Sequence, residues 1–245
     1  MTRAVFFDVD FTLIRPGPMF RAEGYEAACA RHGMSVDPAR FDCAVAEAAP
    51  VLEDPGTQEY DPELFVAYTR RVIEGIGGTG AQVDACAREI YAEWAVCRHF
   101  ELYEEVPQVM HALAASGFRI GLISNSHRCL ASFESHFELH GLIAAAVSSS
   151  EYGLMKPHPD IFRAALRLAG VEAAAAVMVG DNLRQDVEGA LAAGMRAVLL
   201  RRGALPAPDC GVPVIRSLAE LPGLLAASCL SLPADSRPPA ERHPD

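Results

Sequence analysis

The chain has 245 residues, of which 51% are hydrophobic, and a formal net charge of −11 at pH 7. That length and apolar content suffice for one large domain, alone or with a smaller domain inserted, whereas the negative charge disfavours nucleic acid or an anionic membrane as a partner. Seven cysteines without a CxxC pair argue against a disulfide framework, and no apolar run is long enough to span a membrane, so we expect a cytoplasmic monomer or homodimer.

The first predicted element is a strand over residues 4–7, AVFF, which is short, apolar and aromatic-rich. Such a run is typical of a strand buried on both faces of a parallel sheet. Asp8 follows where the strand ends, and Asp10 and Thr12 come shortly after it. The carboxyl edge of a parallel sheet is where α/β proteins bind ligands, so these side chains are candidates for a functional site.

Residues 15–99 show helical rather than alternating periodicity, with helices expected over 20–32, 38–51, from 62, and 81–97. In the third of these, Phe65, Tyr68, Val72 and Ile76 form one stripe. We therefore predict an inserted all-helical domain over 15–99, with its aromatic stripes in its own core.

From residue 100 onward, apolar strands alternate with helices that end at glycine. Strands are expected over 118–123, 144–147, 175–179 and 197–200. This alternation predicts an α/β fold with a doubly wound parallel sheet, formed by residues 1–14 and 100–230. The proline-rich, polar segment 231–245 is expected to be a disordered tail.

Polar residues follow four of the predicted strands: Asp8 and Asp10, Ser124 and Asn125, Lys156, and Asp181 with Asp186. Each group alone has an ordinary explanation as a helix cap, a tight turn or a surface charge. These separate explanations do not account for four polar groups that all follow strands whose ends are neighbours in one sheet. Lys156 is also the single lysine among 21 basic residues, which suggests a site shaped for an ammonium group rather than a guanidinium.

In order, the segments DVDFT, ISNS, KPHPDIF and GDNLRQDVEGA resemble the four motifs of the haloacid dehalogenase-like (HAD) superfamily. The resemblance covers about residues 1–14 and 100–202. The position of the 15–99 insert is similar to that of the helical C1-type cap of subfamily I. The resemblance implies a Mg²⁺-dependent phosphatase acting on small phosphorylated metabolites through an aspartyl-phosphate, beneath a cap that selects the substrate.

The resemblance also implies individual roles. Asp8 would be the nucleophile, Asp10 the general acid and base, and Lys156 a catalytic and phosphate-binding cation. Phosphate would also be bound by Thr12, Ser124 and Asn125, although Thr12 is equally suited to fixing its loop. Mg²⁺ would be held by Asp8, the backbone carbonyl of Asp10, Asp181 and Asp186. Candidate substrate contacts, more simply read as solubilising surface groups, are Arg15, Arg21, His127 and Arg128.

Two positions depart from the family pattern. Phe11 stands where glycine is most common, which makes the conformation of that loop a question, and Asn182 replaces a frequent serine. Three other activities stay open: a phosphomutase, a metal-free 2-haloacid dehalogenase and a receiver-like phospho-acceptor switch. The crowded carboxylates disfavour the dehalogenase, and the large insert disfavours the switch. Sugar phosphates, phosphoglycolate and nucleoside monophosphates all remain candidate substrates.

Overall fold

The computed structural model describes residues 2–53, 57–203 and 209–227. Its main feature is a six-stranded sheet whose neighbouring strands all pair in parallel, in the order β5-β4-β1-β6-β7-β8. The strands are β1 (Ala4–Phe7), β4 (Arg119–Ser124), β5 (Ile143–Ser148), β6 (Ala176–Gly180), β7 (Arg196–Leu200) and β8 (Val214–Ile215). The predicted α/β class and parallel sheet are confirmed, and β8 is an additional strand.

Strand β1 lies near the centre of this sheet. It pairs in parallel with β4 on one side and β6 on the other, and all four of its side chains are fully buried. Its ladder continues beyond Phe7, since the Asp8 amide donates to the Val179 carbonyl at 3.0 Å. The buried strand predicted over 4–7 is therefore confirmed, and the backbone of Asp8 is fixed by the sheet.

Helices cover the sheet and fill the segment between its first two strands in sequence. The helices of that segment are α1 (Ala22–Arg31), α2 (Phe41–Ala48), α3 (Pro50–Glu53), α4 (Pro62–Gly75) and α5 (Gln82–Glu93). Those associated with the sheet are α6 (Val106–Ala115), α7 (Leu130–His136), α8 (Ser149–Tyr152), α9 (Pro159–Ala169), α10 (Gly189–Ala192) and α11 (Leu221–Ala226). No helix in the described ranges is long and apolar enough to cross a membrane.

Two predicted helices differ from the structure. The helix expected over 38–51 is a 3₁₀ turn followed by α2 and α3, with the break next to Pro50, which has no N–H to donate to the preceding turn. Among the helices expected to alternate with the strands and end at glycine, the one that precedes Gly194 begins as a π-helical turn, Leu183–Glu188, before α10. The tail predicted over 231–245 lies outside the described residues.

A short antiparallel ribbon joins the helical segment to the sheet. Strand β2 (Ile14–Pro16) pairs with β3 (Phe100–Leu102), and the Gly17 amide donates to the His99 carbonyl at 2.7 Å. The segment therefore leaves and re-enters the α/β part through two adjacent backbones. The sequence analysis predicted no strand here, because three residues on each side give no periodic signal.

Candidate active site

The carboxyl ends of β1, β4 and β6 bring the predicted site residues to one edge of the sheet. Asp8 follows β1, Asn125 follows β4 and Asp181 follows β6. Lys156 reaches the same place from the loop between α8 and α9, and Asp186 from the π-helical turn. Residues separated by up to 178 positions therefore meet at the expected edge.

Lys156 links two of the carboxylates. Its Nζ donates to Oδ1 of Asp8 at 2.7 Å and to Oδ1 of Asp186 at 2.6 Å, although the residue is only 3% exposed. Burial alone would lower the pKa of Lys156, but the carboxylates of Asp186 and Asp8 outweigh it and raise the pKa above its ordinary value. The chain's single lysine is thus a permanent buried cation between two acids.

Asp8, Asp181 and Asp186 form a cluster in which one carboxylate oxygen of each lies within 4.8 Å of the others. Burial raises the pKa of Asp8 to about 7, with a further contribution from Asp186, and Lys156 only partly offsets it. Burial and the charges of Asp8 and Asp186 raise the pKa of Asp181 to about 8. Three acids therefore share one cation, an excess of negative charge that a divalent cation with oxygen ligands would neutralise.

Local backbone geometry holds Asp186 in this cluster. Its Oδ2 accepts a hydrogen bond from the Asn182 amide at 3.0 Å, while Asn182 Oδ1 accepts from the Gln185 amide at 2.9 Å. The carboxylate of Asp186 packs so closely on Gly180 that a Cβ there would collide with it. Glycine at the end of β6 is thus a steric requirement of the acid cluster.

Asn125 fixes the lysine loop from the other side. Its Oδ1 accepts from the Lys156 amide at 2.7 Å, and its Nδ2 donates to the Lys156 carbonyl at 2.9 Å and to Gln185 Oε1 at 3.1 Å. The Asn125 side chain is therefore occupied by protein partners. A phosphate at this position would therefore contact the backbone of Asn125 and not its side chain.

Ser124 and Thr12 are buried, and neither lines the cavity beside the acids. The hydroxyl of Ser124 lies 2.9 Å from that of Ser126, which does line the cavity. The Thr12 carbonyl accepts from Arg202 at 3.0 Å, and its hydroxyl has no hydrogen-bond partner among the described residues. Thr12 therefore helps to hold its own loop in place through its carbonyl. Ser126, and not Ser124, lines the cavity.

Asp10, which is not one of the three clustered acids, forms an ion pair of its own. Nη1 of Arg128 donates to both carboxylate oxygens of Asp10 at 3.0 Å, and Nη2 donates to the Trp94 carbonyl at 2.9 Å. The guanidinium is fully buried and lies 4.3 Å from the centre of the Phe100 ring. The expectation that Arg128 is a surface arginine or a substrate contact is therefore wrong about its exposure.

Phe11 adopts the left-handed backbone conformation, with φ of +63°. Glycine adopts this conformation without steric cost, which accounts for its frequency at such a position. For a residue with a side chain the same conformation is unfavourable in free energy. The loop nevertheless keeps its turn, because the Leu13 and Ile14 amides both donate to the Val9 carbonyl. The Phe11 ring remains 46% exposed and lines the cavity.

A cavity of about 720 Å³ lies between this sheet edge and the helical segment. The sheet side supplies the site acids, Lys156 and Asn125. The helical side supplies mainly apolar and aromatic residues, together with Glu53, Thr57, Gln58 and Thr69. The two sides are joined by hydrogen bonds from Gln185 Nε2 to the Leu52 carbonyl, 3.2 Å, and from the Met155 amide to the Gln58 carbonyl, 2.7 Å. The prediction that the aromatic stripe belongs to the helical core was incomplete, since Phe65 and Tyr68 line the cavity.

Comparison with known proteins agrees with this geometry. A model of the haloacid dehalogenase-like hydrolase family matches residues 2–194. The chain is 30% identical to N-acylneuraminate-9-phosphatase of Homo sapiens, over 91% of this chain and 93% of that one, and 28% identical to glyceraldehyde 3-phosphate phosphatase of Pyrococcus abyssi, over 83% of each. A solved 2-haloacid dehalogenase of Pseudomonas syringae pv. Tomato is 27% identical with a TM-score of 0.62, over 93% of this chain and all of that one.

Proposed function

This chain belongs to the haloacid dehalogenase-like hydrolases and is a phosphatase, and we propose that it hydrolyses small phosphate monoesters with Mg²⁺, through a phosphoryl group carried by Asp8. The observation that carries the proposal is the position of Asp8. Its carboxylate is held on the central strand, bonded to Lys156 and adjacent to two further acids, at the floor of a cavity large enough for a small ester.

Asp8 acts as the nucleophile. A carboxylate oxygen of Asp8 bonds to phosphorus while the bond from phosphorus to the ester oxygen breaks, leaving an aspartyl-phosphate. Both reactants are anions, so the attack needs positive charge close to the phosphoryl oxygens. Lys156 provides it, since its Nζ is 2.7 Å from Asp8 and its raised pKa keeps it charged.

Asp10 moves the protons. It gives a proton to the departing ester oxygen, then accepts one from the water whose oxygen attacks phosphorus, and that second displacement restores the Asp8 carboxylate and releases phosphate. Asp10 lines the cavity, and Arg128 fixes the orientation of its carboxyl group. Arg202 holds the loop of Asp10 through the Thr12 carbonyl, Ser124 bonds the hydroxyl of Ser126, and Ser126 with the Asn125 backbone faces the phosphate.

The donor set suits Mg²⁺, which prefers hard oxygen ligands. Asp8, the backbone carbonyl of Asp10, Asp181 and Asp186 would hold the ion, and the clustering of the three side chains is the feature that fits it. When bound, Mg²⁺ supplies positive charge that offsets the clustered carboxylates and the phosphoryl oxygens.

The helical insert, residues 15–99, acts as the cap of the site. Its helices form the wall of the cavity opposite Asp8, and its hydrogen bonds to the sheet side hold that wall in place. A wall of this kind keeps bulk water away from the acyl phosphate and contacts the leaving group. Substrate selection therefore falls to residues of the insert and to Phe11.

Dehalogenation is the competing activity, because a solved 2-haloacid dehalogenase is similar over nearly the whole chain. In that reaction an aspartate attacks carbon and no metal is needed. Three acids within 4.8 Å of one another, two of them buried, disfavour dehalogenation, because their mutual repulsion would bring no gain to a site without a metal.

The test measures phosphate release from a panel of phosphate monoesters, with Mg²⁺ or with EDTA, and chloride release from 2-chloropropionate. Asp8→Asn removes the nucleophile, and Asp160→Asn, at an exposed carboxylate on α9, is the matched control. We expect phosphate release that requires both the metal and Asp8 and survives the control substitution. Chloride release without phosphate release would establish the dehalogenase instead.

A further inference from the structure

The cavity has two walls of different chemistry. The sheet side is charged and polar, whereas the helical side presents Leu52, Phe65, Tyr68, Tyr91 and Trp94. A phosphoryl group bound at Asp8 would leave the rest of the ester facing the second wall. The chemistry of that wall therefore bears on which alcohol the phosphate is attached to.

Phe11 adds a ring from the sheet side. It is one of three large apolar residues that are exposed within the described ranges, and the only one of these that lines the cavity. It sits between Asp10 and Thr12, directly beside the proposed acid, in a left-handed conformation that costs free energy for any residue with a side chain. An exposed ring held in this way beside a catalytic loop is well placed to contact the leaving group.

Two hydroxyls of the helical wall already have protein partners. The hydroxyl of Tyr91 lies 2.5 Å from that of Tyr60, and Thr69 Oγ1 donates to the Phe65 carbonyl at 2.9 Å. The Tyr91 ring stacks on His127, with 4.1 Å between their centres. A polyhydroxylated leaving group would lose water against this aromatic part of the wall, where these two hydroxyls are already engaged.

The charges of the cavity also disfavour a second anionic group on the substrate. In the described part of the lining, the cationic side chains are Lys156 and the exposed Arg184, against the acids Asp8, Asp10, Glu53, Asp181 and Asp186. Lys156 is already held between two of these acids. Burial and the neighbouring Arg128 charge lower the pKa of His127, which disfavours the cationic form of that side chain.

We infer that the preferred substrates are phosphate monoesters whose alcohol carries an uncharged aromatic or bulky apolar group, which packs between Phe11 and the aromatic wall of the helical insert. The inference rests on the proposed phosphatase function and narrows its substrate class. It places sugar phosphates and carboxylate-bearing phosphates such as phosphoglycolate among the poor substrates.

The test compares kcat/KM for 2-phenylethyl phosphate and glycerol 1-phosphate in the presence of Mg²⁺. Both esters release a primary alcohol, so their chemical steps are alike and the ratio reports the contact with the alcohol. Burial of one phenyl group should favour 2-phenylethyl phosphate by about tenfold to 100-fold. Phe11→Gly and Phe11→Asn, two residues that tolerate the left-handed region, should lower this ratio by about fivefold or more, mainly through KM.

Leu168→Ala is the control, because Leu168 is an exposed apolar residue on α9 outside the cavity. This substitution should leave kcat/KM unchanged for both esters. Equal or greater activity on glycerol 1-phosphate would overturn the inference while leaving the phosphatase intact. So would a ratio that neither Phe11 substitution changes.

If no ester releases phosphate, the proposed function fails. The preference for an apolar alcohol group can then still be tested by measuring the binding of phosphonates that resemble the two esters. Calorimetry with Mg²⁺ would compare 2-phenylethylphosphonate with 2-hydroxyethylphosphonate, neither of which can be hydrolysed at the carbon–phosphorus bond. Tighter binding of the phenyl compound by about tenfold, reduced by Phe11→Asn, supports the apolar site on its own. Equal affinity, or no measurable binding of either compound, contradicts it.

Discussion

Arg128 donates from one nitrogen to both carboxylate oxygens of Asp10, at 3.0 Å each, although its own side chain is fully buried. Its second nitrogen donates to the Trp94 carbonyl, just beyond α5. The proposed acid of the sheet side is therefore connected to the helical insert through a single guanidinium. The position of the insert and the orientation of Asp10 are coupled by this contact.

Arg128→Lys should lower kcat on an alkyl phosphate by about tenfold or more, because a single ammonium cannot hold both the Asp10 carboxylate and the Trp94 carbonyl in the same geometry. On p-nitrophenyl phosphate the loss should be much smaller, since nitrophenolate leaves without a proton. This difference between leaving groups is the readout, because simple misfolding would affect both substrates equally. Arg163→Lys, on the exposed face of α9, is the matched control. Equal losses on both substrates would reduce Arg128 to a structural residue.

Lys156→Arg should lower kcat by about 100-fold or more despite the conserved charge. The ammonium is 3% exposed and lies within 2.7 Å of both Asp8 and Asp186, so the larger planar guanidinium cannot enter without displacing one of the acids. Steady-state kinetics together with the melting temperature would separate a displaced site from an unfolded one. A folded variant with turnover near that of the unsubstituted enzyme would contradict the interpretation of the single lysine.

Mg²⁺ should stabilise the protein more at high pH than at low pH. The folded-state pKa of Asp8, about 7, and that of Asp181, about 8, lie above the ordinary value of 3.8, so without the metal these groups favour the folded state at low pH. That contribution is lost as the pH rises from about 4 through about 8. Protons and Mg²⁺ compete for the same oxygens, so the cation binds best where the protons have left.

Melting temperatures at about pH 5.5 and about pH 8.5, with and without MgCl₂, would measure this effect. We expect a clear rise with Mg²⁺ at the higher pH and little change at the lower one. Asp181→Asn should reduce the rise, whereas Asp160→Asn should not. A rise of the same size at both pH values would mean that the ion binds elsewhere.

The sheet and most of the acid cluster could be predicted from sequence because each signal is local. An apolar run followed by an acid, as at Phe7 and Asp8, specifies a strand and its functional end together. The ribbon of β2 and β3 could not be predicted, since its two strands have three residues each and are separated by 83 residues. Its formation depends on the tertiary fold.

The buried environment of Arg128 could not be predicted from the sequence either. Its partners Asp10, Trp94 and Phe100 come from distant segments, so no local pattern marks the burial of Arg128. The same holds for the hydroxyls, because Ser124 ends β4 and Ser126 lies two residues beyond it, and only the packing decides which of them reaches the cavity. Phe11 was identifiable as a departure from glycine, but the cavity that its ring lines was not.

The stability of Phe11→Gly offers a last test that does not depend on activity. Phe11 and Glu138 are the two residues other than glycine with positive φ in the described ranges, at +63° and +56°, and both side chains are exposed. Glycine removes the steric cost of this conformation, partly offset by its greater freedom in the unfolded chain, so each substitution should raise the free energy of unfolding by about 0.5 to 1 kcal/mol. Arg167→Gly, at an exposed position in α9, should instead lower it by about 1 kcal/mol. Urea denaturation would measure all three. Destabilisation by Phe11→Gly alongside stabilisation by Glu138→Gly would mean that the Phe11 ring packs against the fold itself. A contact with substrate would then not be needed to explain why a phenylalanine occupies this turn.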